Sequence, residues 1–290
     1  MLKVNPWIRW IKLLLHSKTG TVGFFIVFSV ILVAVFADVL APHDPAANNL
    51  GDMLKPPAWS DGGSLSYLLG TDNLGRDILS RIIFGARVSL LVGIFSVVLA
   101  GFIGIIIGLL AGYYGGMIDN VLMRIVDSFI AIPSILFILV VLSVFDPSLM
   151  VLIIVIGFTN WVTYARVVRG EVLSIKEREF VKASRSIGTK NITIMIQHVL
   201  PNILSSFIVI STLSVATTIV LEASLSFLGL GIQPPEVSWG GMLTDGRNYL
   251  ATNWWLATFP GIAITVTVLG IIFLGDWLRD VLDPRIQTRR

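Results

Sequence analysis

One uninterrupted apolar run limits what this chain can fold into. Residues 88–117 contain no charged side chain, and the run exceeds the stretch of about 20 apolar residues that crosses a bilayer as an α-helix. Five further apolar runs lie at 21–40, 119–145, 149–165, 202–221 and 254–275. A chain of 290 residues that is 55% hydrophobic and 13% charged is not a soluble domain. An unpaired backbone polar group costs free energy in lipid, and a helix pairs these groups within itself. We therefore expect an all-α polytopic membrane protein with six transmembrane helices.

The basic residues predict how these spans are oriented. Only five of the 21 lysines and arginines fall in segments that the six spans place outside: Lys55, Arg76, Arg81, Arg87 and Arg247. Cytoplasmic loops carry an excess of lysine and arginine. Both termini and the polar segment between the fourth and fifth spans are therefore predicted to be cytoplasmic.

The two ends of the chain have distinct patterns. Residues 1–20 contain four basic residues and no acid, with apolar residues along one helical side, which predicts an amphipathic helix on the inner membrane surface. Residues 21–40 form the predicted first span. A cleaved signal peptide is the alternative, because basic residues precede this run and small residues follow it. Residues 279–290 form a predicted cytoplasmic tail.

A polar insert follows the first span. Residues 41–87 are rich in proline, glycine, asparagine and aspartate, which predicts an extracytoplasmic loop with little core of its own. Asp72 precedes a helical pattern, so we expect it to cap that helix or a turn before it. A metal site formed by Asp72 and Asp77 is the alternative, but Arg76 and Arg81 neutralise the two carboxylates locally.

Glycines mark the second span. Four of them recur at helical spacing and predict a close contact with another helix. These are Gly101, Gly104, Gly108 and Gly112.

The third span contains a proline and two charges. Pro133 should bend the helix and free a carbonyl toward a neighbouring helix or a pathway. Arg124 and Asp127 lie near the start of the span, where we expect them to sit at the membrane interface or to pair with each other.

The polar segment between the fourth and fifth spans has an ordered composition. Residues 177–187 are rich in helix formers, and Phe180, Ser184 and Ile187 recur at helical spacing while the basic residues face elsewhere. Gly188 permits a turn that a side chain would resist, and a helical pattern then continues to Pro201, which suits the first turn of the next helix. The pattern predicts two short helices joined by a hinge, with one stripe that needs a partner.

The same segment resembles a known family. It resembles the cytoplasmic loop signature of permease subunits of ATP-binding-cassette (ABC) importers, in their dipeptide, oligopeptide and nickel branch. The residues that carry the resemblance are Glu179, the small pair Ala183 and Ser184, Gly188, and the ending at 198–202. Ser184 replaces the second alanine of that signature. Glu179 also lies more residues before the small pair than the carboxylate does in the short form of the signature. Segments 70–90 and 224–243 resemble the same branch, so the resemblance covers nearly the whole chain.

The resemblance implies a fold and a set of partners. The fold is that of type I ABC importer permeases, with residues 88–278 as the permease domain and 171–201 as its cytoplasmic coupling loop. The implied partners are a second, related permease, two cytoplasmic ATPases that bind ATP and magnesium, and an extracytoplasmic substrate-binding protein. The complex would lie in the bilayer of a bacterial or archaeal inner membrane. This chain would need no cofactor, bind no nucleic acid and catalyse no reaction.

The resemblance also assigns roles to residues. It implies that five loop residues couple the subunit to the ATPases: Glu179, Phe180, Ala183, Ser184 and Gly188.

The fifth span is a candidate for lining the pathway. Its surface is rich in hydroxyls, among them Ser211, Ser214 and Thr218, and Glu222 follows at its outer end. Together with the bend at Pro133, these residues are the predicted lining. The alternative is that the hydroxyls bond to their own backbone in a packed interface.

A second outer segment follows, at residues 224–253. Its glycines and prolines prevent a continuous helix, which predicts a broken, re-entrant segment shielded by protein. We expect Trp239, Trp254 and Trp255 to be interfacial anchors, with contact to a binding protein or substrate as the alternative.

Two other classes of protein fit the residues less well. A channel or secondary transporter would need intramembrane ion ligands or an internal repeat, and only Asp127 and Glu222 are candidates. A membrane-embedded enzyme would need a nucleophile or a metal pair, but the chain has no cysteine, no H-E-x-x-H and no G-x-S-x-G. The expected cargo is a peptide, and nickel, a metallophore or glutathione are alternatives within the same family.

Overall fold

The structure is a computed structural model that describes residues 12–282. Residues 12–16 are helical, whereas the rest of the predicted N-terminal helix (1–11) and most of the predicted tail (283–290) lie outside the described residues. The helices that follow are numbered in chain order. They are α1 (Lys18–Val35), α2 (Ala37–Leu40), α3 (Ile78–Tyr114), α4 (Gly116–Ile130), α5 (Ser134–Val144), α6 (Leu149–Ile175), α7 (Glu179–Ser186), α8 (Asn191–Ile194), α9 (Leu200–Leu225), α10 (Trp239–Gly246) and α11 (Trp255–Leu282).

The long helices match the predicted spans. Helices α1, α3, α6, α9 and α11 are each long and apolar enough to cross a membrane. Helices α4 and α5 pass the same test only as a pair, and they are bent by 76° at the break between them. With this pair counted as one span, the six predicted spans are all present, and the predicted bend at Pro133 is confirmed as a break.

The bundle has two ends with different contents. One end, here called the insert end, carries residues 41–77, the start of α3 and α10. The other, called the loop end, carries the end of α3, the end of α6 and the α7–α8 segment. The predicted cytoplasmic segment therefore lies at the opposite end of the bundle from the predicted extracytoplasmic insert.

Small residues of α3 create the largest helix contact, which is with α6. A Cβ on Gly104 would collide with Tyr164, one on Gly108 with Ala165, and one on Gly112 with Val172. The glycines therefore let the two backbones approach closely, as in other membrane helix pairs. The prediction made from their spacing is confirmed.

Helix α3 begins ten residues before the predicted span at 88. Its N-cap is Asp77, whose carboxylate accepts hydrogen bonds from the backbone N–H (2.9 Å) and the hydroxyl (2.6 Å) of Ser80. Asp72 instead caps the turn before the helix, accepting from the backbone N–H groups of Leu74 (2.8 Å) and Arg76 (2.9 Å). The predicted turn-capping role of Asp72 is confirmed, while its N-cap role is wrong because the chain turns again at Gly75, whose φ is +74°.

Two of the three tryptophans expected at the membrane interface are buried in the protein. Trp239 is 2% exposed and donates its indole N–H to the carbonyl of Ile82 (2.9 Å). Trp255 is 6% exposed and donates to the carbonyl of Thr71 (3.2 Å). Only Trp254, at 44% exposed, has the surface that an interfacial anchor needs. The prediction is wrong for the first two because the start of α3 and the insert supply carbonyls for their N–H groups.

The segment after α9 is broken, as predicted. The helical chain stops at Gly229, whose φ is +83°, and resumes only at α10. Helix α10 packs closely, because a Cβ on Gly240 would meet the backbone of Ala223 and one on Gly246 that of Leu256. This segment is therefore held against α9 and α11.

Candidate functional site

The loop between α6 and α9 contains two short helices joined by a glycine hinge. Helix α7 ends in a Schellman motif: Thr189 N–H donates to the carbonyl of Ser184 (3.2 Å), and Gly188 N–H donates to that of Arg185 (3.1 Å). Gly188 has a φ of +81°, the left-handed conformation that disfavours other residues. The predicted turn at this glycine is confirmed. A Cβ there would meet no atom within 4 Å, so the glycine is required by conformation and not by crowding inside this chain.

Helix α7 is anchored to the bundle by one buried side chain. Val181 is 0% exposed and belongs to a hydrophobic cluster at the loop end, formed with residues of α3, α6 and α9. The same cluster contains Ile194 and Met195 from the second half of the loop, both buried. Both halves of the loop are therefore fastened to the same three long helices, at the loop end of the bundle.

The stripe that the sequence analysis singled out faces away from this anchor. Phe180 is 41% exposed and Ile187 82% exposed, while Ala183 is exposed and Ser184 is half-buried. Glu179, in the first turn, and Gly188 are exposed as well. The structure brings the five predicted coupling residues together on one accessible side of the loop. Val181, which sequence reasoning missed, is the residue that turns that side outward.

Polar contacts tie the loop to the end of α3. The Tyr113 hydroxyl donates to the side-chain carbonyl of Asn191 (2.9 Å), and the guanidinium of Arg185 lies over the Tyr113 ring, 5.4 Å from its centroid. The ammonium of Lys176 donates to the carbonyl of Gly112 (2.8 Å). Two basic residues of the loop, Lys176 and Arg185, thus help to attach it to α3 and also contribute to its positive charge.

One exposed ion pair lies on the loop. The ammonium of Lys182 is 3.0 Å from a carboxylate oxygen of Glu177, and both side chains are well exposed. Hydrogen bonding from Lys182 holds the pKa of Glu177 below its ordinary value of 4.5. Because water screens the pair, it orders the start of α7 without adding much stability.

The two aspartates of α4 pair with arginines of α6 and not with Arg124. Asp119 receives two hydrogen bonds from Arg169, each of 2.6 Å, and Asp127 receives one of 2.6 Å from Arg166. The predicted partnership of Arg124 with Asp127 is therefore wrong. The antiparallel packing of α4 and α6 presents the α6 arginines at the right height, which spacing within α4 alone does not reveal.

Pro133 lies on the surface at the break between α4 and α5. Its own carbonyl accepts from Phe137 N–H (3.1 Å), and the carbonyl of Phe129, four residues before the proline, accepts from Ile132 N–H (3.3 Å). No carbonyl is freed at these two positions, so that part of the prediction is wrong. The tighter turn before the proline replaces the hydrogen bond that the proline removes.

The hydroxyls of α9 fall into two groups. Thr212 and Thr217 bond to their own backbone, at Ile208 (2.9 Å) and Ser214 (3.0 Å), as in a packed helix. Ser211 and Thr218 have buried hydroxyl oxygens without a hydrogen-bond partner among the described residues. Ser211 and Ser214 are half-buried and Thr218 is buried.

Glu222 lies fully inside the protein near the insert end. It is 0% exposed, and its Oε1 accepts a hydrogen bond from the Ser226 hydroxyl (2.7 Å). Its Oε2 has no hydrogen-bond partner within the part of the chain that the structure describes. The hydrogen-bond partner of Glu222 is thus a serine one turn further along the chain.

A network of four charges joins the insert to α10. The side chains of Arg76 and Arg81 both contact the carboxylate of Asp72, and Arg76 does so at 2.7 Å. The same two arginines reach Asp245 of α10, at 3.0 and 3.1 Å. The predicted neutralisation of Asp72 by the arginines is confirmed. Asp245 was missed because it lies far along the sequence in a segment with no other signal.

The fold and the site together define a class of protein, a helical membrane subunit with a hinged, anchored loop at one end. The sequence model of the family described as "Binding-protein-dependent transport system inner membrane component" matches residues 104–288. That of "N-terminal TM domain of oligopeptide transport permease C" matches residues 5–57. The chain therefore belongs to the binding-protein-dependent transport system inner membrane component family, the permeases of ABC importers, which confirms the resemblance found in the sequence.

Curated relatives match nearly end to end. The chain is 44% identical to the dipeptide transport system permease protein DppC of Escherichia coli (strain K12), over 94% of this chain and 91% of that protein. It is 40% identical to the di/tripeptide transport system permease protein DppC of Pseudomonas aeruginosa (strain UCBPP-PA14), over 94% and 90%. It is also 40% identical to the oligopeptide transport system permease protein OppC of Bacillus subtilis (strain 168), over 93% and 87%.

A solved structure shares the fold. A chain of the MetNI methionine ABC transporter, in a crystal form with inward-facing conformations, superposes with a TM-score of 0.58. The match covers 70% of this chain and 96% of that chain at 19% identity. At this identity the likeness shows the fold alone.

Proposed function

We propose that this chain is one membrane-spanning half of an ATP-driven importer for peptides. The supporting observation is the exposed side of the loop, formed by Glu179, Phe180, Ala183, Ser184 and Gly188, on a helix whose opposite side is buried in the bundle. A cleft in a soluble partner that covered Phe180 would gain part of the roughly 1.5–3 kcal/mol that full burial of such a side chain contributes, since 41% of Phe180 is still exposed. The names of the curated relatives support a dipeptide or oligopeptide as cargo.

The proposed mechanism transmits movement from the loop to the spans. ATP binding closes two cytoplasmic ATPases and draws the exposed side of α7 with them. Because Val181, Ile194 and Met195 share one cluster with α3, α6 and α9, the inner ends of those helices follow as a unit. The pathway shared with a second permease then opens outward to an extracytoplasmic binding protein, and hydrolysis resets it. This chain binds no ATP or magnesium itself in the proposal.

The proposed location is a bacterial or archaeal inner membrane with both termini in the cytoplasm. The loop end is then cytoplasmic and the insert end extracytoplasmic. The charge asymmetry supports this orientation, since only five of 21 basic residues lie outside. Among those five, Arg76 and Arg81 are neutralised by Asp72 and Asp245.

The proposed lining of the pathway is the hydroxyl face of α9 with the break at Pro133. Ser211 and Ser214 are half-buried in the isolated subunit, whereas Thr218 and Glu222 are covered. The latter two join the lining only in a conformation that parts α9 from its neighbours. A bulky apolar residue in place of Ser211 or Thr218 should lower uptake, and unchanged uptake in both variants would show that they only pack.

The experiment is a matched pair of glycine substitutions in the assembled transporter. Gly188→Asp places a charge on the exposed side of the loop, and Gly116→Asp makes the same change at another glycine with positive φ and no atom within 4 Å of a Cβ. We expect the first variant to assemble and hydrolyse ATP without taking up labelled dipeptide, and the second to retain uptake. Full uptake by Gly188→Asp would overturn the coupling role.

A further inference from the structure

The insert contains a hairpin-like arm, residues 54–72, here called the outer arm. Backbone hydrogen bonds join its two sides: Leu54 N–H donates to Asp72 (3.0 Å), Thr71 to Lys55 (3.0 Å) and Ala58 to Leu68 (3.1 Å). The paired residues converge along the chain toward a tip, here taken as residues 59–68. The arm is therefore a built element and not a loose connection.

The base of the arm is fixed to the bundle. Asp72 is held by the two arginines that also reach Asp245 of α10. Leu54 and Leu69 pack against the hydrophobic cluster that includes residues of α10 and α11. The position of the tip is thus set by the membrane-spanning helices.

The tip is apolar on its exposed side. Trp59 is 64% exposed, Leu65 85% and Leu68 46%. Across residues 56–70 the only charged side chain is Asp61. The surface therefore offers a partner protein almost no charge with which to form complementary contacts. The interfacial region of a bilayer, in contrast, favours tryptophan and leucine beside polar backbone.

The tip lies beside the end of the spanning helix α11 that begins at Trp255. The Trp59 ring meets the Phe259 ring edge to face, with 6.1 Å between centroids. Phe259 lies about one turn inside the outer end of the spanning helix α11, and the ring of Trp254, which is 44% exposed, lies 5.6 Å from it. The exposed apolar side of the arm is therefore continuous with the exposed aromatic surface at this end of α11.

We propose that the tip of the outer arm inserts into the outer leaflet of the membrane, so that lipid is the partner of Trp59, Leu65 and Leu68. The arm then anchors the polar insert on the membrane surface beside α11. Because its base is tied to α10 through Asp245, the anchor also fixes the depth of the broken segment that follows α9. This inference rests on the membrane-spanning fold and not on the proposed cargo or on the coupling loop.

Site-specific labelling tests the proposal in the assembled transporter in lipid nanodiscs. The chain has no cysteine, so Leu65→Cys and Leu68→Cys each carry a single fluorescent label, and Asn48→Cys, exposed elsewhere in the same insert, is the control. We expect brominated phosphatidylcholine to quench most of the label fluorescence at positions 65 and 68 and little at 48. Aqueous iodide should do the reverse.

Three results would overturn the proposal. Quenching by iodide at 65 and 68 equal to that at 48 would place the tip in water. Protection from both quenchers would mean that another subunit covers it. Loss of iodide quenching only after addition of a substrate-binding protein would assign the surface to that protein. None of these outcomes would affect the coupling role of the loop, which the Gly188→Asp experiment tests separately.

Discussion

The insert end and the loop end use charged residues in opposite ways. At the insert end, Asp72, Arg76 and Arg81 are nearly buried and satisfy one another within the chain. At the loop end, Glu179, Phe180 and Ile187 are exposed, and neither Glu179 nor its neighbours close an ion pair over that side among the described contacts. A surface that the chain completes itself holds the fold, whereas one that it leaves incomplete is available to a partner.

The two ends also differ in how they are fastened. The insert is attached by several charge-assisted hydrogen bonds and by the indole N–H group of Trp255. Helix α7 is attached mainly by Val181 and by the contacts of Tyr113. We expect substitutions at the insert end to change stability and substitutions on the exposed side of the loop to change coupling.

The largest expected effect comes from Asp72→Ala. Removing this carboxylate leaves Arg76 and Arg81 buried with only the partly exposed Asp245 as counter-charge, and breaking a buried pair in this way costs about 3–5 kcal/mol. We expect a large fall in the unfolding midpoint of the purified protein. The control is Asp61→Ala at the exposed tip of the insert, which should change stability by no more than about 0.5 kcal/mol. Equal effects of the two substitutions would refute the network's structural role.

The next effect separates two adjacent residues of α7. Val181→Ala removes a fully buried side chain and should cost about 2 kcal/mol, seen as a lower unfolding midpoint. Phe180→Ala should leave the midpoint of the isolated subunit nearly unchanged, because its ring is 41% exposed, but should lower uptake per ATP hydrolysed. If Phe180→Ala destabilised the subunit as much as Val181→Ala did, the stripe would be part of the core and not a docking surface.

A smaller effect is expected from backbone conformation at Gly188. A β-branched residue is strained at a φ of +81°, so Gly188→Val should cost about 1–2 kcal/mol of local stability, whereas Gly188→Asn tolerates this conformation better. Hydrogen exchange at the N–H groups of Gly188 and Thr189, which close the Schellman motif, measures the difference. Identical exchange in both variants would contradict the hinge geometry.

The smallest effect concerns pH. Because Lys182 lowers the pKa of Glu177, the pair contributes stability above the unfolded-state pKa, and this is lost as the pH falls through the lower folded-state pKa. Uptake and the unfolding midpoint should therefore not vary with pH between about pH 6 and 8 in either the wild type or Glu177→Gln, since the wild-type carboxylate stays ionised there. A step in uptake within that range that Glu177→Gln abolished would show a role for the pair that its geometry does not suggest.

Local patterns in the sequence predicted the elements that depend on local chemistry. The six apolar runs, the glycine contact of α3 with α6, the break at Pro133 and the turn at Gly188 all follow from side chains within a few residues. The family resemblance depended on the same kind of signal, since Glu179, Ala183, Ser184 and Gly188 lie within one short segment. These predictions are confirmed for the spans, the turns and the family, while the coupling role remains a proposal.

Contacts between distant segments were not predictable from one sequence. Nothing near Arg81 indicates Asp245, and nothing near Asp127 indicates Arg166, because helix packing brings these pairs together. The tryptophans were misassigned for the same reason, since an indole that anchors at an interface and one that bonds to a buried carbonyl have the same flanking residues. The anchoring role of Val181 was not predicted, because residue spacing shows which residues share a side of a helix but not which side faces the bundle.

Crosslinking from the exposed side of α7 tests the central claim most directly. In this cysteine-free chain, Ala183→Cys places a single thiol among the proposed coupling residues, and Asn48→Cys places one at the insert end. With a thiol-to-amine crosslinker in the assembled transporter, the account predicts an adduct between position 183 and an ATP-binding subunit, and none from position 48. Absence of that adduct from 183, or its appearance from 48, would contradict the account.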